Sequence, residues 1–183
     1  MRKLILIDMV SLDGLYEGPG EGFATIDWHM VDDRWNEKSV ETLDNSGTIL
    51  FGRRTYEGFR GFWPTQSGSI ADRINAKDKA VVSKSLAQAG WANARVLRGD
   101  LRSEVEALKA ETGKQIIIYG SGRVGQSLTD LGLIDEYHLA IAPVVVGTGT
   151  PLFKAEAPRL QMKLNSVEAL PNGVLHASYS PAL

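Results

Sequence analysis

The chain has 183 residues, 43% hydrophobic and 23% charged, a composition that can bury a full core without disulfides or metal. Its 20 Lys and Arg against 22 Asp and Glu give a formal charge of −2, so no basic excess exists to drive nonspecific nucleic-acid binding. Cysteine is absent, which removes zinc–thiolate sites, iron–sulfur clusters and cysteine nucleophiles and fits a reducing cytoplasm.

The length predicts one domain over 1–183. Residues 3–10 are a nearly continuous apolar run, the pattern of a central strand covered on both faces. Asp8 interrupts that run after Leu4-Ile5-Leu6-Ile7, too early for a secretory core of ~7–15 residues. No segment approaches the ~18 apolar residues of a membrane span. Ser11-Leu12-Asp13-Gly14 has turn chemistry, and residues 15–23 read as a glycine-rich loop. Asp32 or Asp33 caps a helix running to about Asn45, with Gly47 just beyond. Residues 48–51 form a short strand, and Gly52-Arg53-Arg54-Thr55 opens a short helix. Residues 61–68 are irregular and lead to a helix over 70–76. Strands follow at 80–83 and 95–97, then a helix over 101–112 that Gly113 stops. A buried strand at 115–119 leads into a loop and helix over 120–131. A long strand is expected at 136–146, then a Gly/Thr loop at 147–151. Strands near 160–170 and 174–180 straddle Pro171-Asn172-Gly173, a hairpin signal. The pattern predicts an α/β fold: a mixed, mostly parallel central sheet, helices on both faces and a C-terminal antiparallel hairpin.

Open sheets of this kind bind ligands at the carboxyl ends of their strands. Gly120-Ser121-Gly122-Arg123-Val124-Gly125 matches G-x-G-x-x-G between a strand and a helix. Such glycines let backbone approach a phosphate, and the helix start supplies free N–H groups. A Rossmann unit also needs an acid ~20 residues on. The next strand ends in Ala142-Pro143-Val144, without one. A tight turn with no ligand fits the same residues. Arg53 and Arg54 can face a pyrophosphate, with Thr55 donating a hydroxyl hydrogen bond. A solvated helix start is the commoner explanation of an Arg pair. Ser83-Lys84-Ser85 suit a phosphomonoester such as an adenosine 2′-phosphate, or an ordinary polar loop. Three weak phosphate signals on successive strand ends fit one extended dinucleotide. His29, His138 and His176 show no metal-ligand spacing, so no metal is expected. Trp63, between two glycine turns, is the tryptophan placed to line a pocket for a flat ring. Asp8, near the end of an apolar strand, either has a raised pKa and a role or simply accepts backbone N–H bonds.

Several segments together resemble the dihydrofolate reductase-like superfamily, nearest the reductase domain of the bifunctional riboflavin-biosynthesis deaminase-reductase. They are Lys3-Leu4-Ile5-Leu6-Ile7 with Ser11-Leu12-Asp13-Gly14, then Phe51-Gly52-Arg53-Arg54-Thr55-Tyr56-Glu57, then Ile116-Ile117-Ile118-Tyr119-Gly120-Ser121-Gly122. Asp135-Glu136-Tyr137 and the run from Ala142-Pro143-Val144 to Pro151-Leu152-Phe153 complete the likeness. The resemblance implies a sheet of about eight strands and NADPH along the strand ends. It places Gly52, Arg53, Arg54 and Thr55 at the pyrophosphate, and Ser83, Lys84 and Ser85 near the 2′-phosphate. Gly120, Ser121, Gly122, Arg123, Val124 and Gly125 take the pyrophosphate and nicotinamide side. Backbone near Val10, Leu15 and Tyr16 meets the carboxamide, and residues 147–151 pack on a mobile 18–22 region. Trp63 and Tyr119 are then candidates to touch substrate. Dihydrofolate reductases carry an acid on the first helix; Asp33, Asn36 and Glu37 all fall near that place, and Asp33, Asn36 and Asp8 are the catalytic candidates. The deaminase half is absent. The implied reaction is hydride transfer from NADPH to a small heterocyclic or ribosylamino-pyrimidine-like substrate, in a cytoplasmic homodimer with no nucleic-acid or membrane partner. A dinucleotide- or flavin-binding module without turnover is the alternative.

Overall fold

The computed structural model describes residues 1–182, and for Phe23 the backbone only. In chain order the strands are β1 (Leu4–Val10), β2 (Leu15–Glu17), β3 (Ser46–Gly52), β4 (Asp78–Val82), β5 (Ala94–Leu97), β6 (Gln115–Tyr119), β7 (Glu136–Ile141), β8 (Thr150–Pro151), β9 (Met162–Ala169) and β10 (Leu175–Pro181). The α-helices are α1 (Asp33–Asn45), α2 (Arg53–Phe62), α3 (Ser69–Ala76), α4 (Leu101–Ala110) and α5 (Gly122–Asp130).

The apolar runs occupy the middle of an eight-stranded sheet of order β5-β4-β3-β6-β1-β7-β10-β9. Pairing is parallel from β5 through to β7 and antiparallel across β7, β10 and β9. Every residue of β1 is buried, because helices cover both faces and leave no polar side. On one face Leu4, Leu6, Val10, Ile116 and Ile118 pack with Val105 and Leu108 of α4 and Leu128 of α5. On the other, Ile5, Ile7, Phe51 and Ile117 pack with Leu43 of α1, Tyr56 of α2 and Ile74 of α3. Each such side chain stabilises the fold by roughly 1.5–3 kcal/mol of burial before entropy is counted.

Local chemistry sets the helix limits. Asp32 caps α1 by accepting the Trp35 N–H at 2.8 Å. The helix ends directly into β3, where the Ser46 hydroxyl donates to the Leu43 carbonyl at 3.0 Å. The expected break at 61 does not occur. Exposed Gly58 and Gly61 stay helical because Tyr56 and Phe59 anchor α2 against Phe51, at ring distances of 6.2 and 5.2 Å.

Two further expectations need correction. The strand predicted over 136–146 ends at Ile141. Pro143 has no N–H to continue the ladder, and Asp13 draws the Val146 and Gly147 N–H groups away from the sheet at 3.1 and 2.8 Å. The segments expected as loops at 15–23 and 147–151 instead meet as the two-stranded ribbon β2–β8.

Candidate functional site at the strand tips

The register of β1 with β6 runs from Leu4↔Ile116 to Ile7↔Tyr119 and then stops. The Gly120 N–H makes one last long contact, 3.4 Å to the Ile7 carbonyl. Beyond that point β6 turns into α5, while β1 continues beside β7 to Val10. Two strands parting in this way open the crevice that open α/β sheets use for ligands.

A cavity of about 170 Å³ lies at these tips, bounded by Tyr16, Glu17, residues 52–55, Val82 and residues 120–124. The starts of α2 and α5 both face it, and neither has a side-chain cap. Uncapped first-turn N–H groups and the positive dipole ends together favour an anion. Arg53, Arg54 and Arg123 add three guanidiniums to the wall against one carboxylate, Glu17. Gly120 has φ +62°, a left-handed turn that a side chain would strain. A Cβ on Gly122 would stand 2.2 Å from the Tyr16 ring, so that ring lies flat against α5 only because Gly122 lacks one.

The structure brings most of the predicted residues here but redistributes their roles. Ser121 Oγ accepts the Gly52 N–H at 3.1 Å, and Thr55 Oγ1 donates to the Gly120 carbonyl at 3.0 Å. These bonds lace the two turns together, so Thr55 spends its proton on the scaffold. Arg54 pairs with Glu17 at 3.5 Å. Arg53 bonds Glu57 at 2.8 Å and Ser85 at 2.7 Å, which turns it toward the tip of β4 beside exposed Lys84. Ser83 is buried, and its Oγ accepts the Ser85 and Leu86 N–H groups at 3.3 and 3.0 Å. Its hydroxyl oxygen thereby shapes the turn. Val124 lines the cavity, whereas Gly125 is buried against Leu6 and serves helix–strand packing.

The backbone groups expected near a carboxamide are already engaged. The Val10 carbonyl accepts from Ala142 N–H at 2.8 Å. Leu15 accepts the Ser11 N–H at 2.8 Å and gives its own N–H to Ser11 Oγ at 2.9 Å. The Tyr16 backbone is hydrogen-bonded by the half-buried His29, whose pKa burial holds down at about 4. Asp8 is buried, with Oδ1 accepting the Met9 N–H at 3.1 Å and Oδ2 unpartnered. Burial pushes its carboxyl up to about 8.

A second, smaller cleft lies on the opposite face of the sheet, between α1 and the strands. Ile7, Trp35, Lys38, Ser39, Thr42, Tyr119 and His176 line it. Tyr119 Oη lies 3.5 Å from Ser39 Oγ, and burial raises the phenol pKa. Lys38 pairs with Glu168 at 2.6 Å, holding Glu168 down at about 2 together with Arg34. Burial also lowers His176 to about 4, so its ring is neutral near pH 7. Asp33 and Asn36 are exposed, and neither lines the cleft; Glu37 is exposed and pairs with Arg34 at 2.8 Å. The α1 residues that line this cleft are Trp35, Lys38, Ser39 and Thr42. A helical i, i+4, i+7 reading of Trp35, Ser39 and Thr42 could have found that face. No local signal could have added His176. Trp63 stands outside both cavities, its ring 6.0 Å from Phe59 and 5.1 Å from Phe62. Among the described residues there is no cluster of His, Asp or Glu that could hold a metal, and no helix is long and apolar enough to cross a membrane.

Comparison with known proteins places the fold and the family. An uncharacterized Bacillus subtilis protein, YyaP, is 29% identical over 183 residues, covering 97% of this chain and 94% of its own. Among solved structures, a riboflavin biosynthesis protein of Shewanella sp. PV-4, so described provisionally, superposes with a TM-score of 0.79 at 19% identity, over 99% of each chain. The Thermotoga maritima diaminohydroxyphosphoribosylaminopyrimidine deaminase/5-amino-6-(5-phosphoribosylamino)uracil reductase superposes with a TM-score of 0.70 at 14% identity, over 99% of this chain and 57% of that one. The fold is that of the dihydrofolate reductase-like reductase half of such enzymes. The family model described as RibD C-terminal domain matches residues 2–176, and the chain belongs to that reductase-like family.

Proposed function

We propose that the protein is an NADPH-dependent reductase of a small heterocyclic substrate of the ribosylamino-pyrimidine kind. One observation carries the reading: two uncapped helix starts and three arginines converge where β1 and β6 part. The residues fit the cofactor. Arg54, Arg123 and the first turns of α2 and α5 would hold its pyrophosphate. Arg53, Lys84 and Ser85 would hold the 2′-phosphate. The cavity is smaller than the ~300–1,000 Å³ of a whole-ligand pocket, so it seats one segment while the remainder lies along the strand tips. The reduced nicotinamide, when bound, supplies the hydride. The chain supplies orientation and a substrate cleft: α1, Tyr119 and His176 of β10 line the opposite side of the sheet with hydroxyls, one ammonium and a neutral imidazole. We take the chain as a single cytoplasmic domain acting as a homodimer.

The test is a fluorescence titration with NADPH, followed by a substrate screen at the nicotinamide absorbance. The screen includes 5-amino-6-(5-phosphoribosylamino)uracil, the compound named for the Thermotoga enzyme, and dihydrofolate. R54Q should weaken NADPH roughly tenfold, the scale of one charge-assisted contact. Unchanged affinity would remove Arg54 from the site, and no binding by the wild type would end the cofactor reading.

A further inference from the structure

The α1 cleft differs from the strand-tip cavity in charge and in size. Among the described residues, Lys38 is the one lysine or arginine that lines it. That ammonium is already engaged: it meets the Glu168 carboxylate at 2.6 Å, and Glu168 also takes the Arg34 guanidinium at 3.0 Å. The two pairs hold Glu168 ionised, down at about 2. His176 is the register partner of Glu168 across β10 and β9. Burial first, then the Lys38 charge, keeps its imidazole neutral. No carboxylate lines the cleft either, among the described residues. Asp8 alternates with Leu6 and Val10, which pack on the α4/α5 face, whereas Ile7 lines the cleft. That corrects its expected role as a catalytic acid there. What remains is uncharged: the hydroxyls of Ser39, Thr42 and Tyr119, and the His176 imidazole, beside Ile7 and Trp35.

Size acts in the same direction. The cleft measures about 10 Å³, the room of a single water. It takes one edge atom of a flat ring with its hydrogen-bonding group, and no tetrahedral phosphate. Hydroxyls both donate and accept, so they suit ring N–H and carbonyl groups alike. A phosphate left outside the cleft fares no better. It would shed water beside an ammonium that a carboxylate has already neutralised, and that carboxylate repels it. Tyr119, lining the cleft, and Gly120, lining the strand-tip cavity, are consecutive residues.

We propose that the α1 cleft selects an uncharged flat heterocycle, and that the Lys38–Glu168 pair excludes the phosphate ester of the same ring. The proposal rests on the reading of this cleft as the substrate site, and it narrows that reading. The substrate class is the phosphate-free one, unlike the phosphoribosyl compound named for the Thermotoga enzyme.

Calorimetry tests this without turnover, on matched pairs of ligands. One pair is 5-amino-6-ribosylaminouracil and its 5′-phosphate. The other is 6-methyl-7,8-dihydropterin and dihydrofolate, which adds a negatively charged glutamate. The uncharged member of each pair should bind the wild type about tenfold tighter, the scale of one charged contact. E168Q frees Lys38, so the 5′-phosphate should gain roughly tenfold while the uncharged pyrimidine stays within about twofold. Charged members that bind the wild type as tightly as their partners overturn the proposal. So does a phosphate ester that gains nothing in E168Q, and so does a wild type that binds no uncharged member. An NADPH titration of the same protein keeps the readings apart. NADPH binding alongside any of those failures leaves the cofactor reading standing. Selectivity for the uncharged members without NADPH binding ends the cofactor reading and supports this one.

Discussion

Asp13 is exposed, yet it gathers the Ser11 hydroxyl at 2.6 Å and the Val146 and Gly147 N–H groups at 3.1 and 2.8 Å. The Ser11 hydrogen bond, then those to Gly147 and Val146, hold its carboxyl down at about 2. A folded-state pKa below the unfolded value of ~3.9 means the ionised form is the one folding favours. The stabilisation is complete above about pH 4 and fades as pH falls toward 2. D13N should therefore lower the melting temperature at pH 7, and the gap to wild type should close between pH 4 and 2. A gap that is constant over that range would mean the donors do not depend on the charge. The Ser11-Leu12-Asp13-Gly14 signature is thus a fastening between the end of β1 and the segment after β7. That explains why the apolar residues Val144, Val145 and Val146 misled the strand boundary: their pattern is strand-like, but a carboxylate 133 residues away in sequence takes the Val146 N–H.

The ribbon of β2 and β8 shows the same limit at the level of elements. Neither strand has a periodic pattern long enough to read, since they are three and two residues long. What joins them is the close approach of Gly149 to β2, where an added Cβ would lie 2.0 Å from the Glu17 carbonyl oxygen. The obstructing atom is backbone, so it cannot swing aside. G149A should part the ribbon at a cost of about 1–3 kcal/mol, the usual scale of overpacking, or roughly 2–4 °C of melting temperature per kcal/mol for a chain of this size. Faster amide exchange confined to 15–17 and 150–151 would show that the ribbon is what opens; uniform exchange changes would place the damage elsewhere. In contrast, β1, β6 and the closing hairpin were legible because buried parallel strands write continuous apolar runs, and a Pro-Asn-Gly turn writes itself. The α1 cleft was not legible. Lys38, Ser39 and Thr42 look like a solvated helix face until β10 brings His176 opposite them.

Across the whole molecule, one cavity lies at the strand tips and the other against α1, and their linings share no residue. The order β4-β3-β6-β1 puts three strand spacings of ~4.8 Å between the tip bearing Lys84 and the tip bearing Asp8, or ~14 Å. That length suits an extended dinucleotide laid across the tips, adenosine end over β4 and nicotinamide end over β1. The arrangement makes opposite demands on two adjacent residues. Lys84 is exposed at the adenosine end, and Arg53 beside it already bonds Ser85. Ser83 is buried and spends its hydroxyl oxygen on the turn. K84A should weaken NADPH roughly tenfold, the ~1.5 kcal/mol at the low end for a hydrogen bond to a charged group, and leave NADH unchanged. S83A should cost ~1 kcal/mol of stability, as loss of a capping hydroxyl does, with the preference for NADPH over NADH intact. The reverse outcome, preference lost in S83A and kept in K84A, would place the 2′-phosphate inside the turn and require that turn to open when the cofactor binds.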